Sequence, residues 1–388
     1  LGHFQLRAGE YALADAALTR AADVSMDNAA EALLQAGIAR YARQDFGGAL
    51  NAWQRGLHAG SPPSPLVESQ LYFWQAKVLP SQSLAARDSL IQAALAAPES
   101  YHGLRAQELL AGSDLAIASA PASTWFGLNA EEVQERATWL ASLGTNEERV
   151  GAELVAAPGI RRADALLEAG LPTEAGWEID SVMQTYASAG DVAHLSALAD
   201  WLMARDLPQL TLRVARLERE LVGLHALPRA VQKQLYPAAW GDLAAEQSAR
   251  HGLDPLLLLA LVRQESSFDP RAQSNAQAMG LTQVIPTTAR DIAARLGYGD
   301  FALRDLYKPG VSMEFGASHL ASMLREFGGR AMPALAAYNA GAGNVSRWLQ
   351  RFGDDPDLLV ELAPFAETQT YLRTLYTSYR QYVRLYRG

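Results

Sequence analysis

Residues 263–286 read Arg-Gln-Glu-Ser-Ser-Phe-Asp-Pro-Arg-Ala-Gln-Ser-Asn-Ala-Gln-Ala-Met-Gly-Leu-Thr-Gln-Val-Ile-Pro. The stretch sets one acid, Glu265, at the end of an apolar run and follows it with a polar, glycine-containing loop that returns the chain toward that acid. Upstream, Asp254-Pro255 predicts the start of a helix, with aspartate as the cap and proline in the first turn. Eleven residues separate Asp254 from Glu265, so Glu265 falls near the helix C-terminus, where the partial negative dipole disfavours a carboxylate. Residues 257–262 surround it with apolar side chains, and desolvation disfavours the charged form as well. Both effects favour the protonated acid, the form a general acid needs. A surface glutamate at a helix end is the competing structural reading.

Three further segments carry the same texture. Ala278-Met279-Gly280-Leu281-Thr282-Gln283, followed by Pro286, offers a glycine that permits close backbone approach and an amide, Gln283, that can donate and accept. The structural alternative is a tight turn before a helix capped at Thr287-Thr288-Ala289. Ala336-Ala337-Tyr338-Asn339-Ala340-Gly341-Ala342-Gly343-Asn344 sets a hydroxyl on an apolar body beside glycines that also suit a helix–helix turn. In Ala363-Pro364-Phe365-Ala366-Glu367-Thr368-Gln369-Thr370-Tyr371, Glu367 falls in the first turn of a last helix, where its charge is favoured even for a simple capping acid. A single acid in a partly dry cleft among amide groups suits glycosidic cleavage better than peptide, phosphate or redox chemistry.

The rest of the chain bounds the answer. At 388 residues it exceeds one ordinary core, so two or three domains are expected. Apolar residues make up 49% and charged residues 19%, the composition of a packed soluble protein. The longest apolar run, residues 255–262, is far short of a membrane span, so no integral membrane segment is expected. Cysteine is absent, which excludes disulfides and thiolate metal sites and fits an oxidising compartment. Leu1 begins without methionine or a signal-like segment, as a trimmed chain would. Residues 241–388 carry 15 basic and 15 acidic residues, leaving 18 and 27 in residues 1–240, so the whole net charge of −9 lies there. An acidic half argues against nucleic-acid binding.

Helical signals run throughout, without alternating β-branched stretches. Gly9-Glu10-Tyr11 and Gln44-Asp45-Phe46 stand 35 residues apart, each followed by an alanine-rich helix. A third unit covers residues 71–97 with Trp74. This period of small and large residues predicts tetratricopeptide-like helical hairpins over 1–112. Residues 113–123 read as a connection. Further helices are expected at about 160–170, 173–189, 191–204 and 207–223, so 113–235 forms a further helical superhelix or linker region. After a break at His225-Ala-Leu-Pro228, the texture changes at Pro237, and 236–388 is expected as a separate domain of helices alternating with loops.

Together, in their order, the four motif segments resemble the catalytic domain of the soluble lytic transglycosylases, family-1 type, a branch of the lysozyme superfamily. The helical portion before them resembles the α-superhelical domain of the same enzymes, and Tyr101-His102-Gly103-Leu104-Arg105-Ala106 resembles a segment that closes their arrays. The resemblance implies a mainly α fold: an α-superhelical helical-hairpin repeat domain followed by a lysozyme-like, goose-type-like catalytic domain over 236–388.

It also implies cleavage of the β-1,4 bond between N-acetylmuramic acid and N-acetylglucosamine of peptidoglycan without water, leaving a 1,6-anhydro ring. Glu265, in the family's Glu-Ser motif with Ser266, matches the sole catalytic acid, first acid and then base. Tyr338 and Glu367 match residues that orient and set the local charge. Ser266, Ser274, Met279, Gly280, Gln283 and Asn339 match the sugar groove. No cofactor or metal is expected. The implied partners are peptidoglycan glycan strands, with protein partners on the repeats a further expectation, and the implied location is the periplasm or cell envelope. Thr282 departs from the family, which usually has methionine there, and this departure leaves the shape of one sugar subsite an open question.

Ordinary glycosidases use two carboxylates. Asp269 is the nearby acid, but Asp-Pro reads as a turn. The rival readings are a hydrolytic muramidase and a glycan-binding helical scaffold that does not cut.

Overall fold

Helices begin in this chain where short polar side chains reach the free amides of a first turn. Asp45 accepts from Gly48 N at 2.9 Å to open helix Phe46–Leu57. Ser64, Ser83 and Ser100 do the same for Pro65–Val78, Leu84–Ala96 and Tyr101–Leu110. Asn129 and Glu132 form a reciprocal capping box at the start of Ala130–Ser142.

The computed structural model describes residues 1–25, 27–113 and 126–387. Almost all of the connection expected at 113–123 lies outside the described residues. Among those described, the ordered elements are twenty-two α-helices and two short 3₁₀ turns, with two isolated β-bridges and no sheet.

Two compact units interleave along the chain: Leu1–Ser119 with Ser318–Arg380, and Ala120–Ala317 with Gln381–Gly388. In the first, helices Tyr11–Val24 through Tyr101–Leu110 pack as successive hairpins around Trp53, Phe73 and Trp74. Small residues set the spacing: a Cβ on Gly37 would fall 2.1 Å from Trp53 Nε1, so only glycine admits the indole, which donates to Leu34 O at 3.1 Å.

Helix Pro356–Leu362 contributes Leu358 and Leu362 to that core and was not foreseen in the sequence. Its buried acids are held by the segment around Tyr101. Tyr101 donates to Asp357 at 2.7 Å, Arg105 Nε to Asp357 at 3.0 Å, and Lys77 to Asp357 at 2.9 Å. His102 lies 2.9 Å from Glu361. The polar run Tyr101–Arg105 is thus a clamp on Pro356–Leu362.

In the second unit, helices Pro158–Glu168, Pro172–Ala189, Val192–Met203 and Pro208–Val222 match the four expected. Their apolar faces meet around Leu154, Ile179, Leu198, Trp201 and Val214. Helices Gly241–His251, Pro255–Ser266 and Pro286–Leu296 follow. The last starts after Ile285 with proline at its first position and no side-chain cap, which corrects the expectation of a threonine-capped start.

Candidate active site

Asp254 is buried and accepts from Leu256 N at 2.9 Å, starting helix Pro255–Ser266 as its sequence predicts. Every residue from Pro255 to Val262 is buried, whereas Glu265 in the final turn is half-buried. Beside it, Ser266 Oγ donates back to Val262 O at 3.1 Å. The hydroxyl is therefore engaged with its own helix.

The helix ends in a sharp reversal. Ser267 and Phe268 both have positive φ, 51° and 65°. Left-handed geometry costs about 1–2 kcal/mol for each such residue. Burial of the Phe268 ring, stacked 6.5 Å from Trp240, offsets this cost. Asp269 Oδ1 then accepts from Arg271 N at 2.8 Å, and Ala272 N donates to Asp269 O at 3.2 Å. Asp269 is a turn-forming residue, as its Asp-Pro context indicates.

The loop that follows is held by its own backbone. Gly280 N donates to Ala272 O at 3.0 Å, Met279 N to Val284 O at 3.2 Å, and Ser274 N to Ala278 O at 3.0 Å. Gly280 has φ 76°, and a Cβ there would lie 2.0 Å from Leu306 O. The close approach that requires glycine is thus to the Leu306 backbone, where the sequence suggested a ligand. Gln283 Nε2 donates to Gly280 O at 2.8 Å and to Ala272 O at 3.1 Å. Both amide hydrogens are occupied, so what this side chain can offer a ligand is its Oε1 acceptor.

Met279 is only 8% exposed and packs with Val284, Ile292, Leu306 and Phe315. It shapes the loop from beneath. Ser274 is the exposed member of the set; its Oγ accepts from Ala278 N at 3.1 Å. Thr282 is fully buried, its Oγ1 donating to Ser312 O at 2.7 Å. On the open question of Thr282, the structure puts its hydroxyl in the core against Ser312.

The remaining candidates belong to the other compact unit. Tyr338 is half-buried on helix Ala331–Ala340, with its ring 4.8 Å from that of His319. Asn339 Oδ1 accepts from Thr368 Oγ1 at 2.7 Å. Thr368 is buried, and its neighbour Glu367 is exposed in the first turn of helix Ala366–Arg387. The structure therefore joins the Tyr338-Asn339 segment to the Glu367-Thr368 segment through one hydrogen bond.

Sequence reasoning missed Thr368 and His319. Thr368 carried a usable signal, since it lies within the quoted Glu367 motif; His319 lies in none of the four. Among the described residues, no three His, Cys, Asp or Glu side chains gather as a metal site would require.

Residues 242–359 match the family model of the transglycosylase SLT domain. A soluble lytic murein transglycosylase of Salmonella typhimurium is 31% identical over 159 residues, which is 40% of this chain and 24% of the relative. The solved lytic transglycosylase Slt from Pseudomonas aeruginosa superposes with a TM-score of 0.70 at 21% identity, covering 98% of this chain and 56% of that one. The 70 kDa soluble lytic transglycosylase from Escherichia coli does so with a TM-score of 0.53 at 17% identity, covering 99% and 71%. The matched segment spans about a quarter of the curated relative's length. The fold class is mainly α, built on helical-hairpin repeats, with the SLT domain match at 242–359 following them in sequence.

Proposed function

We propose that this chain, which carries a transglycosylase SLT domain at residues 242–359, is a lytic transglycosylase of peptidoglycan. The observation that carries the reading is that this domain contains Glu265, half-buried at the end of a helix whose preceding apolar residues are all buried. A carboxyl so placed can serve as a general acid.

In the proposed reaction, Glu265 protonates the glycosidic oxygen between N-acetylmuramic acid and N-acetylglucosamine. The C1–oxygen bond breaks, and the N-acetylglucosamine 4-hydroxyl leaves. The 2-acetamido carbonyl of the muramic acid covers the positive charge at C1. Glu265, now a carboxylate, removes the proton of the C6 hydroxyl while that oxygen bonds C1. The product is a 1,6-anhydro end, and no water is consumed. One acid serves both steps because the first leaves it in the form the second needs.

Tyr338 and Glu367 are assigned to orientation and local charge. Ser274 and the Gln283 Oε1 are assigned to the sugar acetamido groups, together with Asn339 as held by Thr368. Met279 and Gly280 support the loop from below, and Ser266 closes the helix end. Residues 236–388 are proposed as the catalytic domain, with 1–112 and 113–235 as its helical-repeat portion. The substrate places the protein in the periplasm or cell envelope. Among the described residues, no helix is long and apolar enough to cross a membrane.

The test is mass spectrometry of the soluble products from purified peptidoglycan, with Glu265→Gln in parallel. Muropeptides with 1,6-anhydromuramic ends that vanish in the variant are expected. Products heavier by one water, with reducing ends, would replace this reading by hydrolysis. Cleavage that survives in Glu265→Gln would remove Glu265 as the acid.

A further inference from the structure

Helix Ala366–Arg387, which carries Glu367 and Thr368 in its first turn, is gripped further along by the repeat helix Tyr101–Leu110. Residues 101–110 and 366–380 lie in the same compact unit. The grip has two points. At the first, His102 Nε2 lies 2.9 Å from Glu361 Oε1, and Arg373 Nη2 donates to Glu361 Oε2 at 2.8 Å. At the second, Tyr376 donates to Glu108 Oε2 at 2.8 Å, and Arg380 pairs with Glu108 Oε1 at 3.7 Å. There the rings of Tyr101 and Tyr376 also meet edge to face at 5.0 Å, and Arg105 holds Glu108 in turn.

Glu361 fixes the start of the same helix through its backbone. Gln369 Nε2 donates to Glu361 O at 2.9 Å and to Ala363 O at 2.8 Å, across the turn that joins the two helices. Gln369, Arg373, Tyr376 and Arg380 follow one another at helical spacing, so they form one stripe along the helix. A stripe held at several heights fixes both the tilt and the rotation of its helix.

Glu367 and Thr368 leave the axis on other faces, about 100° apart per residue, so their directions follow from that rotation. Side chains reach about 5–6 Å from a helix axis, and a turn of roughly ten degrees moves their tips by about 1 Å. Such a shift breaks the 2.7 Å bond from Thr368 Oγ1 to Asn339 Oδ1. Glu108 and Glu361 are both buried. Buried ion pairs add little net stability over apolar packing, whereas their directional bonds admit one arrangement.

We propose that His102, Glu108 and Tyr376 are positioning residues for the cleavage site. Through them the repeat helix Tyr101–Leu110 sets the rotation of helix Ala366–Arg387, and so holds Glu367 and the Thr368–Asn339 pair in place for the sugar. The inference rests on the reading of Asn339 and Glu367 as site residues.

The measurement is steady-state release of muropeptides from purified peptidoglycan. His102→Leu removes the contact to Glu361 and is expected to raise KM about fivefold, the size expected for losing the Thr368 bond through which it acts, with a smaller fall in kcat. His102→Gln, which restores a donor to Glu361, should recover most of that loss. Tyr376→Phe deletes only the hydroxyl that meets Glu108 and should raise KM about twofold; it carries the test if His102→Leu does not fold. In the Thr368→Val background either substitution should add little, since the bond it acts through is already gone. Ile179→Val, in a core of the other compact unit, is the control and should lower the melting temperature without moving KM.

Effects that multiply with that of Thr368→Val would overturn the proposal. So would a KM as indifferent to His102→Leu and Tyr376→Phe as to Ile179→Val, or an absence of recovery in His102→Gln. The two readings fail separately. Reducing ends in place of anhydro ends would sink the transglycosylase reaction and leave the KM pattern standing. Glu265-dependent anhydro products with an unmoved KM would sink only the positioning role.

Discussion

Thr282 and Ser312 are joined by their hydroxyls and backbones: Thr282 Oγ1 donates to Ser312 O at 2.7 Å, and Thr282 N donates to Ser312 Oγ at 3.2 Å. The pair pins the loop that carries Gly280 and Gln283 to helix Pro309–Glu326. Gly316 completes the fit, since a Cβ there would lie 2.4 Å from Thr282 Cγ2. Introducing the methionine usual in the related enzymes should therefore overfill the site. Thr282→Met is expected to cost about 1–3 kcal/mol, as inserted methylenes do in packed cores. Thr282→Val, which leaves Ser312 with an unmet partner, should cost about 1–2 kcal/mol. Urea denaturation measures both, and a neutral Thr282→Met would contradict the packing.

Tyr338→Phe should reduce turnover, but far less than Glu265→Gln, because it removes a hydroxyl and leaves the acid in place. Initial rates of muropeptide release compare the two, and a rate equal to wild type would take Tyr338 out of the mechanism.

Thr368→Val deletes the hydrogen bond to Asn339 Oδ1 at nearly constant volume. A bond of this kind is worth about 1 kcal/mol, so a rise in KM of about fivefold with little change in kcat is expected. Steady-state kinetics decides it, and an unaltered KM would mean that the fixed amide contributes nothing to binding.

Acid should unfold the unit that holds Asp357 and Glu361. Burial pushes the Asp357 carboxyl up, but Lys77 and Arg105 outweigh it and leave the group well below the usual carboxylate range. Glu361 is likewise pushed up by burial and then brought down to about 2 by Arg373 and His102. Folded pKa values below the unfolded ones mean stability present above the unfolded pKa of about 4 and lost as pH falls through the folded values. The melting temperature should fall steadily from about pH 5 to about pH 2. Glu361→Gln should flatten that limb, and an unchanged slope would rule out the linkage.

Glu218 has the opposite sign. Burial raises its pKa well above the ordinary range, Asp200 adds to the effect, and Arg136 offsets only part of it. Neither carboxyl oxygen has a hydrogen-bond partner. A folded pKa above the unfolded one favours folding at low pH, and the contribution is lost as pH rises through the folded value. Near pH 8 the folded chain must either take up a proton or hold a buried charge, and glutamine does neither. Glu218→Gln should therefore stabilise the protein there, by on the order of 1 kcal/mol or more, and change little near pH 4. Melting curves at the two pH values test this, and equal effects at both would exclude protonation as the cause.

Much of the secondary structure is legible in the sequence because its signals are local. Asp254-Pro255 opens its helix as read, and the four helices of residues 158–222 fall where periodicity places them. Helix Pro356–Leu362 escapes because it is short and carries two buried acids, which look like surface residues until Lys77, Arg105 and Arg373 are seen beside them. Gly280 reads as a ligand approach because a sequence shows that a position needs no side chain, but not which atom occupies the space. Here that atom is Leu306 O. Thr282 reads as part of a sugar site for a related reason: motif order assigns a loop but not the face each residue presents.

The sequence by itself determined the mainly α class, the acid at the end of an apolar helix, and the order of the segments, three of which fall within the SLT domain match. Caps, periodicity and motif spacing act over a few residues, so the chain states them directly. Only the tertiary structure decided that both Gln283 amide hydrogens are spent on the loop, that Thr282 belongs to the core, and that Thr368 holds Asn339. Only it set His102 against Glu361 and Glu108 against Tyr376. Those outcomes depend on distances between residues remote in sequence, and such distances exist only once the helices have packed.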